Sequence, residues 1–259
     1  MIRRRRRLRK RPPRQRLPIE AERLYLGMLR RLSDRFREAV TAELADSQYA
    51  PLVRTDARRP GPMGFVSGAL DFLRKVRANL FGDVERLPLE QVSGRVAKTA
   101  KREMQRVVGI PAESLSTGLR VATWRRDNVG LITNMLAEQL DRVAELLNRY
   151  DNTNPFDLAD QLQSEFSFTR ARAELIARDQ TLKLNGDITQ DAHRQAGIEE
   201  YIWSTSKDSS VRDRHEDLEG TRQRWDDPPV INDRGETGHP GDDYQCRCVA
   251  VPILPELEG

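Results

Sequence analysis

The residues of this chain that most readily bind metal ions are concentrated near its carboxyl end. Four of its five histidines and cysteines lie within the last 45 of 259 residues: His215, His239, Cys246 and Cys248. Imidazole and thiolate groups bind zinc, and the surrounding segment has many turn-forming residues and few aliphatic ones. The sequence therefore predicts a structural zinc ion, held by these four side chains, in a segment that cannot build a large core of its own.

The spacing of the two cysteines limits how they can act together. Cys246 and Cys248 are separated by one residue, so a disulfide between them would be short and strained. On a regular strand their side chains would face opposite sides, so a shared metal requires a bent or bulged chain around Arg247. The alternative is that both cysteines are small buried apolar residues, while the two histidines only hydrogen-bond to turns.

A catalytic interpretation of the same residues is also open. His215, Asn232 and His239 occur in the order found in metal-dependent His-Asn-His nucleases. Such an enzyme needs one histidine as a general base and the last histidine on a helix as a metal ligand. Pro240 and Gly241 follow His239 directly and oppose a helix there. We therefore hold the nuclease as the alternative interpretation of these residues.

The amino-terminal arm has a strongly biased charge. Residues 1–16 contain ten of the 44 basic residues and no acid, which leaves 34 basic residues against 40 acids in the rest of the chain. Repulsion within the arm and its prolines predict disorder over residues 1–17 and sequence-independent binding to nucleic-acid phosphates. The predicted contacts are Arg3, Arg4, Arg5, Arg6, Arg7, Arg9, Lys10 and Arg11.

The apolar pattern argues against a membrane protein. No apolar window approaches the roughly 20 residues needed to span a bilayer, and the basic start lacks the apolar segment of a secretory signal. The two closely spaced cysteines are typical of a reducing compartment. We expect a soluble protein without a membrane partner or a small-molecule substrate.

Apolar residues recur at helical spacing through most of the chain. They predict helices at about 18–45, 65–81, 89–108, 112–150, 156–166 and 169–196. In the last of these, His193 is predicted at the surface. Asp179 is there either a solvated surface acid or an inward-facing one, and in the second case it would accept hydrogen bonds from the loops that follow.

The period changes after Gly197. Tyr201 and Trp203 alternate with Ile202, which predicts a strand, and a second short strand is predicted over residues 248–254. The predicted fold class is mainly α with a small C-terminal α+β module. The predicted domains are the basic arm at 1–17, a helical body at 18–168 and the α+β module at 169–259.

Several motifs between residues 170 and 252 form a combination whose order and spacing are specific. They are Ile176-Ala177-Arg178-Asp179-Gln180, Ile202-Trp203, Leu218-Glu219-Gly220, Trp225-Asp226-Asp227-Pro228-Pro229, His239-Pro240-Gly241 and Cys246-Arg247-Cys248. This combination resembles the phage head morphogenesis proteins, the minor head proteins similar to the F protein of phage Mu. Some members carry a Cys-x-x-Cys pair where this chain has Arg212 and His215, which supports His215 as a metal ligand.

The resemblance implies a role in the virion. Such a protein is expected in few copies inside the head near the portal vertex, and in the host cytoplasm during assembly. Its expected partners are the portal protein, other head proteins and DNA. The resemblance implies binding and assembly without turnover of a substrate.

Overall fold

The computed structural model describes residues 14–45, 67–149 and 155–254, and within them the chain is mainly helical. The helices are α1 (Ile19–Ala45), α2 (Ser67–Glu85), α3 (Leu89–Val107), α4 (Gly118–Arg149), α5 (Pro155–Gln195) and α6 (Asp213–Leu218), with a 3₁₀ turn at Ala112–Ser114. The strands are β1 (Glu200–Ser204), β2 (Arg222–Arg224) and β3 (Val249–Pro252). The predicted combination of helices with a small C-terminal sheet is confirmed.

One compact unit consists of Arg23–Leu89 and Arg125–Ala177. Its core consists of apolar side chains at helical spacing, which α1 supplies through Leu29, Phe36 and Val40, among others. One buried polar pair lies inside it, because the hydroxyl of Tyr25 donates to Oδ1 of buried Asn128 at 2.8 Å. The amphipathic pattern that predicted these helices therefore reflects burial on one face.

The second compact unit consists of Met1–Glu22, Glu90–Trp124 and Arg178–Gly259. It contains α3, the carboxyl-terminal part of α5 and the sheet. Strand β1 lies in the centre of an antiparallel sheet with the order β2-β1-β3. Tyr201 and Trp203 of β1 are fully buried, as their alternation predicts.

Two predicted helices are a single helix. The sequence predicts a break between 156–166 and 169–196, but α5 runs without interruption from Pro155 to Gln195. Neither glycine nor proline occurs near residue 167 to stop it. The hydroxyl groups of Ser167 and Thr169 donate to carbonyls one turn earlier, Gln163 and Glu165, and so remain satisfied inside the helix. The predicted domain boundary at 168 falls within this helix.

The prediction for His193 is wrong. Its side chain is fully buried, and its ring packs edge-on against Trp225 at a centroid distance of 5.4 Å. Gln15 covers it from the amino-terminal side, with 3.4 Å between Nε2 of Gln15 and Nε2 of His193. Both covering residues are distant in sequence, so the helical period alone does not reveal them. Burial lowers the pKa of His193 to about 3.

None of the helices described in 14–45, 67–149 and 155–254 is both long and apolar enough to cross a bilayer.

Candidate metal centre

The structure brings three of the four predicted metal ligands together. His215 lies on the buried face of α6, and Cys246 and Cys248 lie in an irregular segment that ends where β3 begins. Gln245, just before this segment, has a positive φ of 53°, a backbone conformation that reorients the chain there. Because neither cysteine belongs to a regular strand, both sulfurs can face His215. The chain around Arg247 is irregular, as a metal shared by the two cysteines requires.

The distances within the cluster match a zinc coordination sphere. Nδ1 of His215 lies 3.8 Å from Sγ of Cys246 and 3.6 Å from Sγ of Cys248. With Zn–S and Zn–N bonds of about 2.3 and 2.1 Å, a tetrahedral ion places nitrogen and sulfur ligands about 3.6 Å apart. The three ligand atoms lie within 4.8 Å of one another, and all three residues are buried. This geometry fits a divalent ion with protein ligands at three positions.

The charges of the two thiols depend on each other. A hydrogen bond from Cys248 lowers the pKa of Cys246, and His215 and the backbone of Gly241 lower it further. The pKa of Cys248 is raised, because it holds that shared proton and because a second buried thiolate is unfavourable. Burial by itself would lower the pKa of His215, but the Cys246 thiolate and Asp243 raise it overall. A dication would stabilise both thiolates at once.

Asp243 lies beside the other ring nitrogen of His215. Its Oδ2 lies 3.3 Å from Nε2 of His215, while Nδ1 faces the sulfurs. Arg212 holds the carboxylate in place through an ion pair of 3.2 Å and donates to the carbonyl of Tyr244. Zinc-binding histidines commonly donate their second ring nitrogen to a carboxylate, which fixes the tautomer that binds the metal. Here Nε2 of His215 and Oδ2 of Asp243 lie at ion-pair distance without a hydrogen bond between them.

His239 lies outside this cluster. Its Nδ1 is 2.8 Å from the hydroxyl of Tyr201, and its ring also hydrogen-bonds to the backbone of Trp225. Burial lowers the pKa of His239, so the neutral ring accepts from the tyrosine hydroxyl. The group of potential metal ligands found in the described residues comprises His215, Cys246 and Cys248 without His239.

The nuclease arrangement is not favoured by this geometry. Asn232 forms a local turn in which its Oδ1 accepts from the backbone N–H groups of Arg234 and Glu236. His239 is followed by Pro240 in a loop and belongs to no helix. His215 faces two sulfurs and a carboxylate, so its ring nitrogens are directed at those groups and away from any open surface.

The loop that carries the cysteines is held against α5 at two points. The backbone N–H of Gln245 donates to Oδ1 of Asp179 at 2.7 Å, as predicted for an inward-facing carboxylate. The chain also passes close to Gly186, where an added Cβ would lie 2.8 Å from the carbonyl oxygen of Pro240. Gly241, with φ of 107°, supplies the other side of this approach. Both contacts hold the segment that ends at Cys246.

An aromatic cluster surrounds the candidate metal centre. Tyr201, Trp203 and Trp225 form a buried core with Cys246 and Cys248. The ring of Trp203 packs edge-on against His215 at 5.4 Å. The expectation that this segment cannot build a core is therefore wrong, because three large aromatic side chains compensate for the few aliphatic ones. A metal ion would add to this core and would not replace it.

The end of the basic arm lies beside the cluster. The predicted phosphate contacts from Arg3 to Arg11 lie outside the described residues. Arg14 donates to the carbonyl of Arg247, the residue between the two cysteines, at 3.3 Å. Gln15 is buried and interacts with Thr189 at 3.2 Å.

Two residues of this region are absent from the sequence prediction. Asp243 is one of several acids near His239, and the sequence gives no sign of which acid faces His215. Gly186 has a weak signal, because glycine inside a helix is unfavourable and often marks a close approach of another segment.

Comparisons with known proteins agree with the motif combination. Residues 151–251 match the family model described as Phage Mu protein F like protein. A protein of Haemophilus influenzae described as uncharacterized is 38% identical over 133 residues, which is 51% of this chain and 29% of the length of that relative. No solved structure matches. The predicted resemblance is confirmed: residues 151–251 of this chain are similar to the phage Mu protein F like family.

Proposed function

We propose that this protein is a minor head protein of a phage, which acts in head assembly and DNA packaging near the portal by binding and not by catalysis. One observation carries the proposal: the matched region 151–251 contains the complete cluster of His215, Cys246 and Cys248 together with the helix that holds its loop. Its proposed partners are the portal protein and other head proteins. Its proposed locations are the interior of the head and, during assembly, the host cytoplasm.

We further propose that the cluster holds a structural zinc ion. His215, Cys246 and Cys248 are the ligands that the geometry supports, and Asp243 orients His215. All three ligand residues are buried, and this enclosure supports a structural role for the ion.

Zinc analysis of histidine variants tests the ligand set. The purified full chain should contain about one zinc ion, and His215→Ala should lose it. His239→Ala is the matched control, because it also removes a buried imidazole and is expected to keep the metal. Metal-free wild-type protein that is equally stable with and without chelator would contradict the site. Loss of zinc in both variants would restore the four-ligand set predicted from the sequence.

Deletion in a phage that carries this gene tests the assembly role. We expect fewer DNA-filled heads by electron microscopy, recovery with the wild-type gene, and no recovery with Cys246→Ser. Asp160→Ala, at an exposed position of α5, serves as the control that should recover filled heads. Normal numbers of filled heads without the gene would contradict the proposal.

A plasmid assay with magnesium, manganese or zinc tests the nuclease alternative. Nicking that His215→Ala abolishes would favour an enzyme over an assembly protein.

The basic arm is proposed to bind DNA without sequence preference. Ten positive charges in residues 1–16 support this proposal. Binding should weaken steeply with salt, because each neutralised phosphate releases counterions. Deletion of residues 1–16 should remove the contribution of the arm. Equal affinity and salt dependence of the truncated chain would contradict it.

A further inference from the structure

The exposed face of α3 carries a line of positive charges. Arg95, Lys98, Arg102 and Arg106 follow one another at spacings of three, four and four residues, so they lie on one side of the helix. All four are exposed, and half-buried Lys101 flanks them. The opposite face is apolar and contains Val92, Val96, Ala100 and Met104, all buried. The burial of this second face fixes the basic face toward the outside.

The acids of α3 do not interrupt the line. Glu90 lies in the first turn, before the line begins. Glu103 is buried and pairs with Arg106 while it also accepts from the backbone N–H of Arg16 at 3.0 Å. Arg95 has a weak partner in Glu20, at 3.9 Å and with both side chains largely exposed.

The centre of the line is available for a partner. Among the ion pairs of the described segments, none involves Lys98, Lys101 or Arg102. Positive charges grouped in this way repel one another, so an external polyanion would gain from binding all of them together.

The arm joins this surface at its carboxyl-terminal end. Arg106 donates to the carbonyl of Arg14 at 2.8 Å, and both Arg14 and Arg16 are exposed. The described end of the basic arm therefore continues the line of charge beyond Arg106.

We propose that α3 and the adjoining residues Arg14 and Arg16 form a binding surface for the phosphate backbone of duplex DNA. The proposal rests on DNA as a partner in the proposed function and assigns to that partner a folded surface besides the arm. From Arg95 to Arg106 the helix extends about 16 Å at 1.5 Å per residue, a length that runs beside about five phosphates of one strand.

The composition of the face favours a duplex backbone over other anionic partners. It contains Gln91, Gly94 and Gln105 besides the cations, without any aromatic side chain on which an unpaired base could stack. It also lacks the apolar residues that form the centre of most protein interfaces and that anchor a helix in a membrane surface.

Binding of random-sequence duplex DNA to the full chain at several salt concentrations tests the surface. The variant Lys98→Gln, Lys101→Gln, Arg102→Gln removes three charges while glutamine preserves helix propensity. The control Arg31→Gln, Arg37→Gln, Arg86→Gln removes three charges from exposed positions of the other compact unit. Thermal unfolding followed by circular dichroism confirms that both variants are folded.

The salt dependence of binding distinguishes the loss of direct phosphate contacts from a general decrease in the net charge of the protein. Each lost phosphate contact reduces the slope of log K against log salt by about 0.9, so the α3 variant should lose about 2.7 and the control much less. If wild-type protein binds DNA and the α3 variant has the same slope, the proposed surface on α3 is wrong and the arm remains as the DNA contact. Absence of wild-type binding would overturn both. Poly-glutamate that competes as well as duplex DNA at equal charge would overturn the assignment to DNA.

Discussion

Asp179 of α5 accepts the backbone N–H of Gln245 at 2.7 Å, directly before the first cysteine of the candidate metal centre. The carboxylate is buried and also pairs with Lys183 at 2.9 Å. A side chain of the long helix therefore fixes the backbone of a loop 66 residues away in sequence. This contact gives the Asp179 motif a structural role in holding the loop of the candidate metal centre.

We expect Asp179→Ala to lower the free energy of unfolding by about 1–3 kcal/mol, because the N–H of Gln245 loses its acceptor. Urea unfolding measures the change, and zinc affinity should fall with it because the loop is less constrained. Asp179→Asn keeps an acceptor oxygen and should lose less. Asp160→Ala, on an exposed turn of the same helix, is the control that should change little. Equal stability of Asp179→Ala and wild type would show that the contact is dispensable.

Asp243→Ala should weaken zinc binding by about 10–100-fold while the content at saturation stays at about one ion per chain. The reason is that Asp243 orients His215 and does not itself belong to the cluster. Competition with a chelator of known affinity measures the effect. Asp233→Ala is the control, because Asp233 is 94% exposed in its side chain. A change in stoichiometry instead of affinity would make Asp243 a ligand.

Gly186→Ala and Gly130→Ala should change stability in opposite directions. An added Cβ at Gly186 would lie 2.8 Å from the carbonyl oxygen of Pro240, so the loop must move. At Gly130, in the interior of α4, nothing lies within 4 Å of an added Cβ. Alanine there should stabilise the helix by up to about 1 kcal/mol. Thermal unfolding compares the two, and stabilisation by both would rule out a tight approach at Gly186.

His193 should make stability depend on pH in the acidic range. Its pKa is about 3 in the folded protein, against an ordinary value of about 6.5 in an unfolded chain. The folded protein favours the neutral ring. The stability that depends on this neutral ring is therefore fully present above about pH 6.5 and is lost as the pH falls toward 3. Between pH 7 and 5 the loss is about 2 kcal/mol.

His193→Gln lacks this titration and should show a smaller decrease in unfolding free energy over the same pH interval. Urea unfolding of both proteins at each pH isolates the contribution of His193, because carboxylates and metal ligands affect both alike. The same decrease in the variant and in wild type would show that groups other than His193 cause the pH dependence of stability.

Local sequence patterns were sufficient for most of the helices and for β1. Repeated apolar spacing reports which face of a helix is buried, and the alternation around Trp203 reports a strand with one face inside. The spacing of apolar residues did not predict that α5 continues through residue 167. Hydroxyl groups that donate to carbonyls of the preceding turn allow polar residues to remain in a helix. The spacing of apolar residues gives no information about such hydrogen bonds.

The sequence by itself determined the types of ligand, since only His and Cys side chains of the tail offer the nitrogen and sulfur that zinc prefers. It also determined that Cys246 and Cys248 need an irregular chain to converge. Tertiary structure alone decided that His215 faces the sulfurs while His239 bonds to Tyr201, and that Gln15 and Trp225 enclose His193. Periodicity and spacing describe neighbours along the chain, whereas a coordination sphere or a buried ring depends on segments that folding brings together across many residues.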